Sequence, residues 1–305
     1  MPDRSRAAGA GTSSPARTTP ALVTQPWAGK PSALAFGFGH LWVADDSANT
    51  VTRVDPTTGL TDGPAIVVGR GPTAVATGDG AVWVVCTPTS SLYRIDPSTQ
   101  AVVGGPIPVA TDPVAVVAGD GAVWVASLAG ASLTRVDPTL NQADALVPYP
   151  AGPVRLALTS STLWVTGSDG TLSRLDPHNG QALAATLALG GSSFGVATDA
   201  RSAWVSDFLG NQVRRVSIAT GSVVGSPIPV GHHPGVMADG SGSVWVTNHD
   251  DSSVSRINST TGALAARSIA VGGVPRDVVV DPNGQAWVVT VRPSALVRLT
   301  PPRTR

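Results

Sequence analysis

Glutamate is absent from this chain of 305 residues, and lysine occurs once, at Lys30. All 20 acidic residues are Asp and 19 of the 20 basic residues are Arg, so the formal charge is zero. Without Glu, a calcium loop that closes on a bidentate Glu is excluded. The charge balance gives no footprint for nucleic acid or an anionic membrane, so neither is expected as a partner. Cys86 is the single cysteine; it cannot form an intrachain disulfide, and its apolar surroundings suggest a packed thiol. No apolar run approaches the ~18 residues of a membrane span. The first 20 residues hold basic, small and Pro residues but no apolar core, so they read as a disordered tail and not as a signal peptide. As written, the chain is expected to be a soluble cytoplasmic monomer, unless it is a piece of an exported or membrane-anchored protein. Walker A, G-x-G-x-x-G, H-E-x-x-H and paired-cysteine motifs are all missing, and no amphipathic helical period stands out.

Turn residues and tryptophan are abundant. Gly and Pro make up 60 of the 305 residues. Trp42, Trp83, Trp124, Trp164, Trp204, Trp245 and Trp287 follow one another at gaps of 41, 41, 40, 40, 41 and 42. A fixed period near forty marks a repeat array whose units cannot bury their apolar faces alone. The copy from Gly71 to Pro113 serves as template. A short apolar strand a follows Pro72, and Gly78-Asp79-Gly80 is a tight turn. Val82-Trp83-Val84-Val85 reads as a fully buried strand b, and Ser91–Asp96 alternates as strand c. A Pro-initiated turn leads to an outer strand d over Ala101–Val109, broken by Gly-Gly-Pro. Four antiparallel strands, seven times over, predict an all-β, seven-bladed β-propeller across residues 21–300, with 301–305 as a C-terminal tail.

Blade 7 has no outer strand of its own. Ala21-Leu22-Val23 precedes Pro31 much as Ile66-Val67-Val68 precedes Pro72, so the N-terminal run is expected to close the ring as that strand. Arg53, Arg94, Arg135, Arg174, Arg215, Arg256 and Arg298 recur on strand c, 10 or 11 residues after each Trp. A feature common to all seven blades should be scaffold: the tryptophans packing between blades, the arginines stacking on them or pairing with Asp.

The runs LWVADDSANTVTRVDPTTG from Leu41 and SVWVTNHDDSSVSRINSTTG from Ser243 resemble the YVTN/NHL-like propellers, the group that includes streptogramin B (virginiamycin B) lyase. The likeness covers about residues 21–300 and implies the propeller fold; members include a lyase, sensor domains joined to bacterial kinases, and binding scaffolds. For the lyase it implies a His entering the channel at the start of an inner strand, with Glu and His on neighbouring loops helping to hold Mg²⁺. His233, just before Pro234, is near that place. The strand b ends, where that group has Glu, hold Asp45, Cys86, Ser127, Gly167, Asp207, Asn248 and Thr290. The acid positions of the lyase are therefore not filled as such. A quinone-type dehydrogenase is disfavoured, because Trp precedes the DP-x-T-G turn here.

Two motifs have plain structural explanations. Gly191-Ser192-Ser193-Phe194-Gly195 matches G-x-S-x-G, but no helix follows and Ser193 takes the slot of the repeat proline. His40 and His178 fall in turns of the opposite face and are expected to be solvated.

Alternating strand directions put the b–c and d–a loops on one face. There His232-His233 enters blade 6, Asn248-His249-Asp250-Asp251 forms its b–c loop, Asp207-Phe208 opens that of blade 5, and Arg276 stands at the start of blade 7. Imidazole and carboxylate together can hold a divalent ion or polarise a ligand. A ligand or partner site is expected at this channel mouth, from Asp45, Asp207, Phe208, His233, Asn248, His249, Asp250, Asp251 and Arg276. His233, His249, Asp207 and Asp250 are the metal candidates; the plainer reading is ordinary solvated loop residues. The expected function is a binding scaffold. The rivals are a divergent metal-dependent lyase and the sensor domain of a larger signalling protein.

Overall fold

Each tryptophan lies on a six-residue strand that is buried along its whole length in blades 2 to 6. In the computed structural model, which describes residues 20–301, these are the second strands of seven antiparallel sheets. Blade 1 comprises Pro31–Gly37, His40–Asp45, Thr50–Val54 and Ile66–Val67. Blade 2 has a split outer edge, Ala101–Val102 and Ile107–Pro108, where Gly-Gly-Pro interrupts pairing. The expected tails, 1–20 and 301–305, lie outside the described residues except for Pro20 and Pro301. Among the described residues the one helical turn is Thr87–Thr89, and no helix is long and apolar enough to cross a membrane.

The core is seven inter-blade layers. Side chains alternate along strand b, so Trp42 points to the next blade and packs with Val82 and Val84. Its neighbours Leu41 and Val43 point to the preceding blade and pack with Trp287. The same pairing links Trp83 to Val123 and Val125, Trp204 to Val244 and Val246, and Trp245 to Val288. All seven indoles are at most 1% exposed. Each buries on the order of 200 Å², so the ring is held by its interfaces more than by any one sheet.

The arginines stand directly opposite the tryptophans across the b–c ladder, as in Trp83↔Arg94 and Trp204↔Arg215. Five guanidinium groups stack on their indoles at 5.0–5.9 Å, those of Arg94, Arg174, Arg215, Arg256 and Arg298. Arg53 and Arg135 instead pair with Asp62 and Asp144. His40 is also tied down, its Nε2 lying 3.0 Å from Asp62, whereas His178 is exposed.

Ala21–Pro26 pairs antiparallel with Ala295–Thr300, from Ala21↔Thr300 to Pro26↔Ala295. Blade 7 thus takes its outer strand from the N-terminal end of the described chain. Trp27, just beyond, packs against the layer between blades 7 and 1 and donates its Nε1–H to Asp45 at 3.0 Å. Closure in this manner gives blade 7 its fourth strand and covers the outer edge of Ala295–Thr300.

Candidate functional site

Every blade shows a register shift just after the first residue of strand a. A bulge re-aims side chains that would otherwise alternate. Successive residues after the strand a proline therefore reach the channel. Ser32, Thr73, Val114, Val154, Phe194, Gly235 and Arg276 line its mouth. Above them sit the first residues of the b–c loops, of which Thr87, Leu128, Phe208 and His249 complete the wall. Each is anchored by its amide to a d–a loop carbonyl, as Phe208 is to Ser192 and His249 to His233. The result is a cavity of about 410 Å³ drawing on all seven blades, followed by a deeper chamber of about 320 Å³.

Arg155 and Arg276 border both chambers, and Asp277 lines the deeper one. Arg155 belongs to blade 4 and Asp277 to blade 7, three blades apart and nearly opposite. The Arg155 guanidinium lies 4.7 Å from the Phe194 ring, and its Nη1 donates to the carbonyls of Val154 (2.9 Å) and Val114 (3.3 Å). Burial pulls its pKa below the ordinary arginine value, with Asp277 opposing that shift. Asp277 accepts the Leu34 amide on one oxygen and the Val278 amide on the other, both at 2.8 Å. Burial nevertheless raises its carboxyl to about 6.

An unbroken stack climbs from this waist to the rim. Phe194 meets Phe208 at 5.7 Å, and Phe208 lies face to face with His233 at 4.4 Å and 7°. His233 Nδ1 is 2.6 Å from one oxygen of Asp250, and His249 Nδ1 is 3.0 Å from the other. His249 leads among the groups that hold the Asp250 carboxyl below its usual range. His232 turns away: its side chain is 69% exposed and bonded to Asp251. Only one of the adjacent histidines therefore faces the channel side.

The polar strand b ends do different work. Asp207 accepts the amides of Ser192 and Gly210 and the side chain of Gln212. Burial works to raise its carboxyl, and these donors outweigh it and hold the pKa low. Asp45 likewise collects Lys30, Ser47, Ala48 and Trp27, and Asn248 accepts the Gly231 amide while donating to Ser253 and Ser255. These three tie each d–a loop to its own b–c loop. Gly191 makes the knot feasible: with φ +74° it lies against Asp207 where a Cβ would collide with the carboxylate.

The expected residues thus divide. His233, His249, Asp250 and Phe208 come together, Arg276 shares the lining of the mouth with Phe208 and His249, and Asp45, Asp207 and Asn248 are committed to loop amides. For the Mg²⁺ that the resemblance implies, the donor set does not fit. Both Asp250 oxygens face His Nδ1 atoms and Asp207 is saturated by its loop; among the described residues no three His, Cys or Asp side chains gather as metal ligands.

Arg155, Asp277 and Phe194 escaped sequence reasoning, although a signal existed. The second residue after the strand a start is Ala33, Ala74, Ala115, Gly195 or Val236 in five blades, and becomes Arg155 and Asp277 in blades 4 and 7.

A funnel-mouthed seven-bladed propeller is the class these features define. Among solved structures it is similar to a streptogramin B lyase, with a TM-score of 0.81 and 15% identity over 94% of this chain and 100% of that one. It is also similar to a catalytically inactive Staphylococcus aureus virginiamycin B lyase solved with quinupristin, at TM-score 0.80 and 15% identity over 92% and 99% of the two chains. The Neurospora crassa Pan2 WD40 domain matches at TM-score 0.74 and 13% identity over 94% and 96%. No family model and no curated protein matches. At such identities the likeness establishes the fold alone, and at that level it agrees with the resemblance read from the repeats.

Proposed function

We propose that the protein is a binding propeller whose ligand is a small molecule seated in the channel mouth. The observation that supports this most is the 410 Å³ cavity, with Phe194 and Phe208 on one wall, Phe208 backed by the His233 ring, and the side chains of Ser32, Thr73, Thr87 and Thr247 elsewhere. An apolar, largely preformed concavity with a few convergent polar groups is the usual form of a small-molecule site. A protein partner would use the wider loop rim instead.

Neutral aromatic fragments test the reading without reference to charge. Indole and phenol should show saturation transfer from the wild type. Val154→Trp, which fills the lumen, should abolish it. Undiminished transfer in that variant would place the fragments elsewhere and sink the proposal.

The imidazole–carboxylate cluster of His249, Asp250 and His233 favours a second reading, a lyase related to the structural neighbours. Incubation with quinupristin, followed by chromatography with and without EDTA, decides it. Unchanged quinupristin removes this reading.

A further inference from the structure

Arg155 is a half-buried cation with no acid in salt-bridge range among the described residues. Stripping part of the water from an unpaired cation is unfavourable in general, so its placement calls for a compensating group. The protein supplies part of it. Phe194 lies under the guanidinium plane, and the two carbonyls of Val114 and Val154 take Nη1. That leaves Nε and Nη2, the edge that matches a carboxylate bidentately, without a protein acceptor. The Nε atoms of Arg94, Arg135, Arg214 and Arg298 are also unpartnered, but they are sealed away from water. The free edge of Arg155 belongs to a side chain that borders both chambers.

The lumen holds two permanent cations, Arg155 and Arg276, against one carboxyl. Its charged or titratable side chains are Arg155, Arg276, Asp277 and His249. Asp277 cannot neutralise Arg155 directly: the two form no ion pair, and its oxygens are held by the Leu34 and Val278 amides of its own side of the ring. The Arg276 side is cationic beyond the lumen as well. Arg276 continues into an adjoining groove of about 670 Å³ between blades 7 and 1, which also holds Lys30 and Arg292 against one acid, Asp46. None of those three cations makes an ion pair among the described residues.

We infer that the mouth selects a small carboxylate: its planar anion sits on the free edge of Arg155 at the waist, and its apolar body lies against Phe194 and Phe208. This rests on the channel-mouth reading above and adds the ligand's chemical class. The Nη1 bonds and the Phe194 stack hold the guanidinium in place, so little rotamer entropy is lost when the anion arrives. Asp277 opposes the anion when ionised and stops doing so when it takes a proton.

The test uses three matched probes, 3-phenylpropanoate, 3-phenylpropanamide and 3-phenylpropylamine, titrated calorimetrically into the full chain. At pH 7 the carboxylate should bind at least about ten-fold tighter than the amide, and the amine weakest. Arg155→Met should erase the preference while leaving amide binding within about three-fold. Because Arg155 also braces the waist, Asp277→Asn gives an independent check. It should tighten carboxylate binding at pH 7.5 and flatten the gain that the wild type shows between pH 7.5 and 5.5, a range in which the probe stays ionised. Equal binding of carboxylate and amide, with both weakened by Phe208→Ala, would overturn the anion inference and leave the channel-mouth site standing. If no probe binds while indole and phenol do, the inference falls alone; if those fail too, both fall.

Discussion

Consider two chains that begin at Pro20 and at Trp27. They differ only by the strand that closes blade 7, so their comparison isolates the ring closure. Leu22 and Val23 are each 43% exposed, which leaves just over half of each side chain covered. At roughly 1.5–3 kcal/mol for a fully buried aliphatic side chain, the two together contribute about 2–3 kcal/mol. Ladder hydrogen bonds over Ala21–Pro26 and the entropy of ordering those residues are similar in size and opposite in sign. For a domain of this size the loss corresponds to a melting point lower by roughly 3–5 °C. Scanning calorimetry of the two chains measures it, and urea midpoints at constant m check that the folded state has not changed in kind. The shorter chain should also self-associate, because Ala295–Thr300 becomes a bare edge. Equal melting temperatures would refute the argument that this strand closes the ring.

Other perturbations follow from single interactions. Asp207→Ala strands the Ser192 and Gly210 amides and should cost about 2–4 kcal/mol by urea denaturation. The depressed pKa of Asp207 means its contribution is complete above the unfolded carboxyl value of 3.8 and is lost as pH falls through the folded one; the wild type should therefore lose stability below pH 3.8 more steeply than Asp207→Ala. Asp277 has the opposite sign, because its pKa is raised from 3.8 to about 6. Its ionised form weakens the fold, whereas Asn gives up one of the two amide bonds at every pH; the stability of Asp277→Asn relative to the wild type should therefore rise by about 1–2 kcal/mol between pH 3.5 and pH 8, and a difference independent of pH would contradict the assignment. Burial pushes the Cys86 thiol up to about 12, so iodoacetamide should label it only after denaturation; rapid native labelling followed by mass spectrometry would show the residue is not packed as described.

The scaffold could be read from the sequence because it is written seven times. Trp83 alone says little, but seven tryptophans at one period fix the strand, its direction and its neighbour. The closing strand was legible for the same reason, since Ala21-Leu22-Val23 fills a gap the period leaves open. The arginines were half legible: stacking or pairing was expected, yet which blades pair depends on where Asp62, in the segment leading to the outer strand, and Asp144, on the outer strand, come to lie, which no period reveals. The site was harder. Asp207, Asp45 and Asn248 looked available because they are polar at strand ends, and whether a carboxylate is free depends on which loop amides fold back onto it. His233 and Asp250 sit seventeen residues apart and meet because the d–a and b–c loops of one blade are latched by the His249 amide.

The repeat also explains why the waist is the more informative place. Seven blades sharing one backbone are seven measurements of what the fold itself requires at each position. Where the fold requires something, the blades agree, as at Trp and at the opposing Arg. Two residues after the strand a start the fold asks only for a small or apolar residue beside the lumen, and five blades comply with Ala, Gly or Val. An arginine and an aspartate in the remaining two bond to the backbone around them, yet burial disfavours the charge of both, lowering the pKa of one and raising that of the other. They are also too far apart to pair. Two groups whose charge burial disfavours, set nearly opposite each other around the deeper chamber, are better explained by a ligand that reaches Arg155 than by the architecture around them. The rim histidines carry no comparable cost, since each has Asp250 beside it and open solvent above. If this ranking holds, substitutions at Arg155 will alter ligand choice while those at His233 and His249 alter mainly how tightly the rim closes over it.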